Sequence, residues 1–422
     1  MSTLALGFFL VPSGIASAAN TPVVGAYYTE WSVYGRAFPV EKIPFDKITH
    51  LLYSFIPICG PNDSLATDNP SGHQALQTEC ASKQPFQITI HDTWAAVQEP
   101  HNNYRKLAEA KAAHPHLKIL PSIGGWTLSD PFFELARRPE SRAVFIKSCL
   151  EFLRQYPFFD GIDIDWEYPG GGGSNPSLGG AEDTVNHANL MKELRAALDA
   201  FGREKNRTYL LTSAVGAAPS NISAVDYRSL FANPASPTLD LVFAMTYDYY
   251  GAWDGVRGPL AGLYQSSDAL REDFNGAATI RNLMNAGVPA QNLVLGVAMY
   301  GRAWEGVQST KATSSNVYDE SGRPFSLEQG MWEPGIMDYK FIASKYRNDP
   351  NFTYIYDAQA KAPFLWSAHL GKLITYEDAC STQEKFKFVK SMNLAGTFAW
   401  EIDADNGDIL NAMMGNPVSN CP

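Results

Sequence analysis

One stretch constrains the fold more than any other: Asp160-Gly-Ile-Asp163-Ile-Asp165-Trp-Glu167-Tyr168. Acids and apolar residues alternate through it. That pattern marks a β-strand, whose successive side chains point to opposite faces. Asp163, Asp165 and Glu167 fall on one face; Ile162, Ile164 and Trp166 fall on the other. Asp163 and Glu167 would lie about 13 Å apart, enough to run from a barrel interior to its mouth. Three carboxyls on one face cannot all ionise cheaply, so at least one should hold a proton near neutral pH. A general acid needs that property. A solvated strand face is a blander reading, but the Gly, Ile and Trp neighbours suit a strand enclosed on both faces. A metal site is another, but the stretch has no His or further acid at ligand spacing, so neither metal nor cofactor is expected.

The rest of the chain supplies the partners for such a strand. Apolar runs at Val23–Glu30, Ile48–Ile56, Leu117–Gly125, Leu210–Val215, Leu239–Tyr247, Leu293–Tyr300 and Gly396–Ile402 make eight strands with the acidic one. Helical patterns fall between them at Tyr104–His114, Arg138–Tyr156, Asp183–Phe201 and Asp268–Asn285. Strands alternating with helices imply a (β/α)8 TIM barrel. Residues Pro57 to His101 read as a long loop or small hairpin, rich in Asn, Pro and Gln. The gap between the seventh and eighth strands is too long for one helix. Its strand-like pieces at Phe352–Tyr356 and Phe364–Ser367 suggest a small α+β insertion. The expected division is a signal peptide at 1–18, a barrel from 19–302 and 375–422, and an insertion domain at 303–374.

Leu4–Val11 would be the apolar core of that signal and Ala16-Ser17-Ala18 its cleavage site. The protein is therefore expected to be secreted. No other stretch is apolar enough to span a membrane. A net charge of −11 argues against nucleic acid and anionic membranes and suits a neutral polymer. A monomer is expected. Cys59 and Cys80 bracket a polar loop and could pair; Cys380 and Cys421 could tether the C-terminus; Cys149 lies in a helical pattern and reads as a buried thiol.

Barrel chemistry gathers at the C-terminal ends of the strands. Those ends carry Tyr27 and Trp31, Phe55, Trp126, Glu167, Met245, Tyr247 and Asp248, Tyr300 and Arg302, and Trp400. Aromatic rings around an acid suit a carbohydrate cleft, because sugar rings have apolar faces that stack on them.

These residues also carry a resemblance. The acidic stretch matches the DxxDxDxE signature of the family 18 glycoside hydrolases, and Ser122-Ile-Gly-Gly125 matches that family's third strand. The stretches from Leu117 to Phe133 and from Trp400 to Leu410 are similar to the bacterial chitinase A type, and the likeness runs from Val23 to Met414. The N-terminal fibronectin-like domain of that type is not matched, so a strong grip on crystalline chitin is not expected. The resemblance implies a chitinase cutting β-1,4-linked N-acetylglucosamine. Glu167 would be the acid and then the base, Asp165 would orient the acetamido group, and Asp163 would share a proton with Asp165. Tyr247 would bond the acetamido oxygen, with Met245 and Asp248 beside it and Trp400 beneath the distorted sugar. Trp126 and Trp253 would stack sugars on the leaving side, and Trp332 would wall the cleft. Arg302 and Glu333 would bond hydroxyls. Tyr27, Trp31 and Phe55 would extend the non-reducing side, with Tyr300 also in the cleft. Two other functions share the fold: a chitin-binding lectin, which usually lacks the final acid, and an endo-acting enzyme that trims N-glycans.

Overall fold

Eight parallel strands close on themselves in the computed structural model, which describes residues 21–267, 271–307, 322–328 and 331–422. The expected signal peptide lies outside the described residues. The strands are β1 (Val23–Thr29), β2 (His50–Ile56), β3 (Lys118–Gly124), β4 (Gly161–Asp165), β5 (Leu210–Gly216), β6 (Leu241–Met245), β7 (Leu293–Ala298) and β8 (Gly396–Trp400). Each pairs with the next, and β8 returns to β1 with Ala26 opposite Ala399.

Alternation along the strands builds two cores. Tyr27, Leu52, Leu120, Phe243, Val294 and Phe398 fill the barrel. Ile162, Ile164 and Trp166 point outward, into the core shared with the surrounding helices. Helix Asp183–Lys205 contributes Leu190, Leu194 and Leu198 to that layer, all fully buried. Asp160 anchors the base of β4. Its carboxylate accepts from Lys111 Nζ at 2.8 Å, from Arg207 Nη2 at 2.8 Å and from the Ile119 amide at 2.8 Å.

Three expectations need correction. Residues 57–101 hold helices at Asp63–Asp68, Pro70–Cys80 and Thr93–Val97 rather than a bare loop or hairpin. Helix Pro70–Cys80 buries only Leu76, so it shows no apolar stripe. Its signals are an Asn69 cap, which accepts from the Gly72 amide at 3.0 Å, and Pro70 in its first turn. The helix expected from Asp268 begins at Gly276, capped by Asn275; residues 268–270 lie outside the described residues. It stops at Gly287, which takes φ +116°. The strand expected to reach Tyr300 ends at Ala298, and Tyr300–Glu305 starts a separate antiparallel sheet. That sheet runs in the order Met331–Glu333, Ile336–Asp338, Tyr300–Glu305, Lys372–Tyr376, Ala362–Ser367 and Thr353–Asp357. It stands between β7 and β8 in the chain and therefore beside the C-terminal mouth of the barrel.

Disulfides join Cys59 to Cys80 and Cys380 to Cys421. Cys149 is free and buried.

Candidate active site

β4 carries the acids as its alternation requires. Asp163 points into the barrel and meets hydroxyls from three other strands. Tyr27 donates to it at 2.9 Å, Ser122 at 2.7 Å and Thr212 at 2.6 Å. Burial pushes its pKa up, and those three bonds pull it back. Asp165 is also buried, and its Oδ1 has no hydrogen-bond partner. Burial first, then the charges of Glu167 and Asp163, drive its pKa well above the usual carboxylate range. Hydroxyl donors favour a carboxylate at Asp163 and nothing comparable does so at Asp165. Protonation is therefore favoured more strongly at Asp165 than at Asp163.

Glu167 sits just past the end of β4. Its amide donates to the Ser129 hydroxyl at 2.9 Å, and that hydroxyl donates to the Gly125 carbonyl at 2.8 Å. Gly125 N in turn donates to the Asp165 carbonyl at 2.8 Å. This link needs two glycines at the end of β3. A Cβ on Gly124 would stand 2.2 Å from the Asp165 carbonyl oxygen, and one on Gly125 would strike the Phe55 ring at 2.6 Å. Both glycines also take positive φ, at +112° and +93°. Burial raises the Glu167 pKa to about 7; a hydrogen bond from Tyr168 lowers it, and the Asp248 charge raises it. A carboxyl so placed holds or yields a proton near neutrality.

Tyr247 and Asp248 arrive from the end of β6. Tyr247 is buried, and burial together with the charges of Asp165, Glu167, Asp248 and Asp163 keeps its phenol protonated. It is a hydrogen-bond donor among acids. Asp248 takes φ +55°, a left-handed turn that Asp tolerates. It is held by Arg302, whose Nε and Nη2 donate at 2.8 and 2.9 Å. The Arg302 guanidinium also lies 4.6 Å from the Trp253 ring. Arg302 thus anchors Asp248 and Trp253, beyond the expected contact with substrate hydroxyls.

Aromatics ring the mouth. Trp400 stacks on Phe55 at 5.6 Å and 15°. Trp126 is 48% exposed and Trp253 61%, with Trp31 and Trp332 also exposed. Met245 is half-buried, and Glu333 is exposed beside Trp332. Two of the expected cleft residues are buried. Tyr27 is 1% exposed and serves Asp163. Tyr300 is buried beside Tyr247, with ring centroids 6.2 Å apart.

Several further groups lie outside the expected set of site residues. Tyr168 hydrogen-bonds the acid beside it in the chain. Ser122 and Thr212 hold Asp163. Tyr34, just after β1, and Trp94, on helix Thr93–Val97 after β2, form an exposed stacked pair at 5.4 Å. Arg36 binds Glu401 at 2.7 Å and both Asp338 and Asp403 at 3.3 Å, with its guanidinium 5.1 Å from the Trp332 ring. This cluster stitches the insertion sheet to the barrel. Asp338 lies 302 residues from Arg36, so nothing local announces the contact.

A line of acids at a barrel mouth, a phenol donor above it and exposed rings on both sides define a (β/α)8 glycoside hydrolase. The chain belongs to the glycosyl hydrolases family 18, whose sequence model matches residues 23–405, and it is of that family's chitinase type. It is 44% identical to Chitinase A of Pseudoalteromonas piscicida over 93% of this chain and 52% of that one. It is also 44% identical to a probable endochitinase of Orgyia pseudotsugata multicapsid polyhedrosis virus, over 93% of this chain and 72% of that one. The chain thus spans about half the length of the first relative. Among solved structures, Chitinase ChiA74 from Bacillus thuringiensis superposes with TM-score 0.82 at 28% identity, over 95% of this chain and 71% of that one. An Ostrinia furnacalis Group IV chitinase in complex with allosamidin gives 0.77 at 26% identity, over 93% and 97%.

Proposed function

We propose that this protein is a secreted chitinase that hydrolyses β-1,4-linked N-acetylglucosamine polymers with retention, using the substrate's own acetamido oxygen as nucleophile. The observation that carries the reading is the state of the carboxyls around Glu167. A retaining enzyme with a protein nucleophile needs a second free carboxylate about 5 to 5.5 Å from the acid. Asp248 is locked to Arg302 through two hydrogen bonds. Asp163 and Asp165 stand behind Glu167 on the same strand. None is free to attack the sugar from its far side.

In this mechanism Glu167 protonates the leaving oxygen. The acetamido oxygen, oriented by the Tyr247 hydroxyl, closes onto the anomeric carbon. Positive charge grows on the acetamido nitrogen, whose N–H is accepted by Asp165. As that charge grows, the proton held on Asp165 moves toward Asp163, which leaves Asp165 as the carboxylate facing the acetamido nitrogen. Water then opens the ring, activated by Glu167 as base.

Trp126 and Trp253 would stack sugars on the leaving side, and Trp400 with Phe55 would floor the cleft. The segment 303–374 would form a wall that presents Trp332 and Glu333 to a long chain. Secretion is supported by the two disulfides, which form and persist in oxidising surroundings.

Release of soluble N-acetylated oligomers from colloidal chitin tests the activity. Glu167→Gln should bind oligomers and release none, because the amide keeps the shape and lacks the proton. Near-normal turnover by that variant would remove Glu167 from the mechanism.

A further inference from the structure

A lysine and a glutamate are sealed inside the protein behind the mouth of the barrel, in no contact with the acids of β4. Lys385, on helix Ala379–Ser391, and Glu377, just after strand Lys372–Tyr376, are each 1% exposed at the side chain and stand 2.8 Å apart. An ion pair this dry is costly to bury unless its remaining donors and acceptors are met. Here they are met by the backbone at one place. Lys385 Nζ donates to the Gly296 carbonyl at 2.8 Å and reaches the Thr246 carbonyl at 3.5 Å. Glu377 Oε2 accepts from the Ala298 amide at 2.6 Å.

That place is where the barrel splits. β6 pairs with β7 only from Val242 to Ala244, whereas β5 follows β6 to Met245 and β8 follows β7 to Ala298. Beyond Ala244 the two strands part. Thr246 N turns back to the Ala244 carbonyl at 2.8 Å, and the Thr246 hydroxyl bonds the Gly296 carbonyl at 2.8 Å. The next residue is Tyr247. Lys385 and Glu377 replace the ladder bonds that the split removes.

Gly296 joins the pair to the site in a single step. Its carbonyl is gripped by Lys385, and a Cβ added to it would stand 2.9 Å from Tyr247 Cε1 and 2.6 Å from the Ala244 carbonyl oxygen. The Tyr247 ring therefore rests directly on the backbone that Lys385 holds.

We propose that Lys385 and Glu377 form a positioning pair for Tyr247, fixing the parted ends of β6 and β7 so that the phenol meets the substrate's acetamido oxygen. The inference rests on the role given to Tyr247 above. Neither residue touches substrate.

The test is a double-mutant cycle in the full chain, with Lys385→Met, Tyr247→Phe and the pair combined, on a natural N-acetylglucosamine oligomer. Rates are taken per folded molecule, with the folded fraction read by circular dichroism. Lys385→Met should lower kcat by about 10- to 100-fold, the scale of a misplaced reacting group, and change KM by less than about threefold. Tyr247→Phe should then cost far less in the Lys385→Met background than in the natural one, because the two losses share one cause. A purely structural pair would lower the melting temperature and leave kcat per folded molecule intact. That result, or losses that simply multiply, would overturn the proposal. Should Lys385→Met fail to fold, Glu377→Gln, which keeps shape and removes only the charge, takes its place in the same cycle: a shared loss supports the proposal, and an intact kcat or multiplying losses overturn it. If Tyr247→Phe alone leaves kcat unchanged, the role of Tyr247 fails and the proposal with it. If Tyr247→Phe is impaired and neither pair variant is, the proposal alone fails.

Discussion

Removing one hydroxyl should move the pH profile. Tyr168 donates a hydrogen bond to Glu167 and so favours its ionised form; burial and the charge of Asp248 oppose it, and the carboxyl ends at about 7. A hydrogen bond to a charged group is worth about 1.5–3 kcal/mol, and one pKa unit is about 1.4 kcal/mol. Glu167 and Tyr168 are half-buried, so the lower end applies, and Tyr168→Phe should raise the Glu167 pKa by about one unit. Glu167 must be protonated in the first step, so activity falls above its pKa. The alkaline limb of kcat/KM should therefore move upward by about one pH unit. The substrate should be a natural oligomer, whose sugar leaving group needs the proton. Asp248→Asn removes a charge that raises the pKa, and should move the same limb downward. Asp165 titrates together with Glu167, so the limb belongs to the pair, but the two directions stand. A Tyr168→Phe limb that stays in place or moves to lower pH would mean that this hydrogen bond does not set the Glu167 pKa.

Other predictions concern stability and binding. Cys59 and Cys80 are separated by 21 residues, and a loop of that size contributes about 3 kcal/mol in the chain-entropy model; replacing both by Ala should lower the denaturant midpoint accordingly, and an unchanged midpoint would count against it. Burial raises Glu30 and Glu401 from 4.5 to about 8. Burial also lowers His50 and His187 from 6.5 to about 4, which offsets the two glutamates below about 6.5; above that the folded chain keeps the glutamate protons that the unfolded chain has lost, so stability should fall as pH rises from about 6.5 to 8, and a melting temperature that climbs over that range would contradict this. Trp253→Ala should weaken binding of long oligomers by about tenfold, near the 1.4 kcal/mol scale of an aromatic contact, and disaccharide binding much less; equal losses would deny Trp253 a sugar.

Much of the fold and site is legible in the chain because the barrel writes itself in period two. The alternation around Asp163 and Asp165 fixes which face each side chain takes, and all eight strands lie within a few residues of their expected bounds. The features that escape have no local period. Helix Pro70–Cys80 buries only Leu76 and could be found only from its Asn69 cap and Pro70. Tyr27 resembles a cleft aromatic because its position at a strand end shows nothing of its bond to an acid 136 residues away. Arg36 and its three acids, and Lys385 with its two carbonyls, are contacts between distant segments. They follow from the closure of the barrel, which periodicity implies but does not measure.

The step on which the proposed mechanism turns is the first attack, made by the sugar's own acetamido group. A proton NMR time course of N-acetylglucosamine oligomer cleavage, read before mutarotation, decides it. Two inversions, one by the acetamido oxygen and one by water, should release the β-anomer first, and fully deacetylated oligomers should not be cut. Initial α-anomer, or cleavage after a free-amine sugar, would mean that water or a side chain attacks instead.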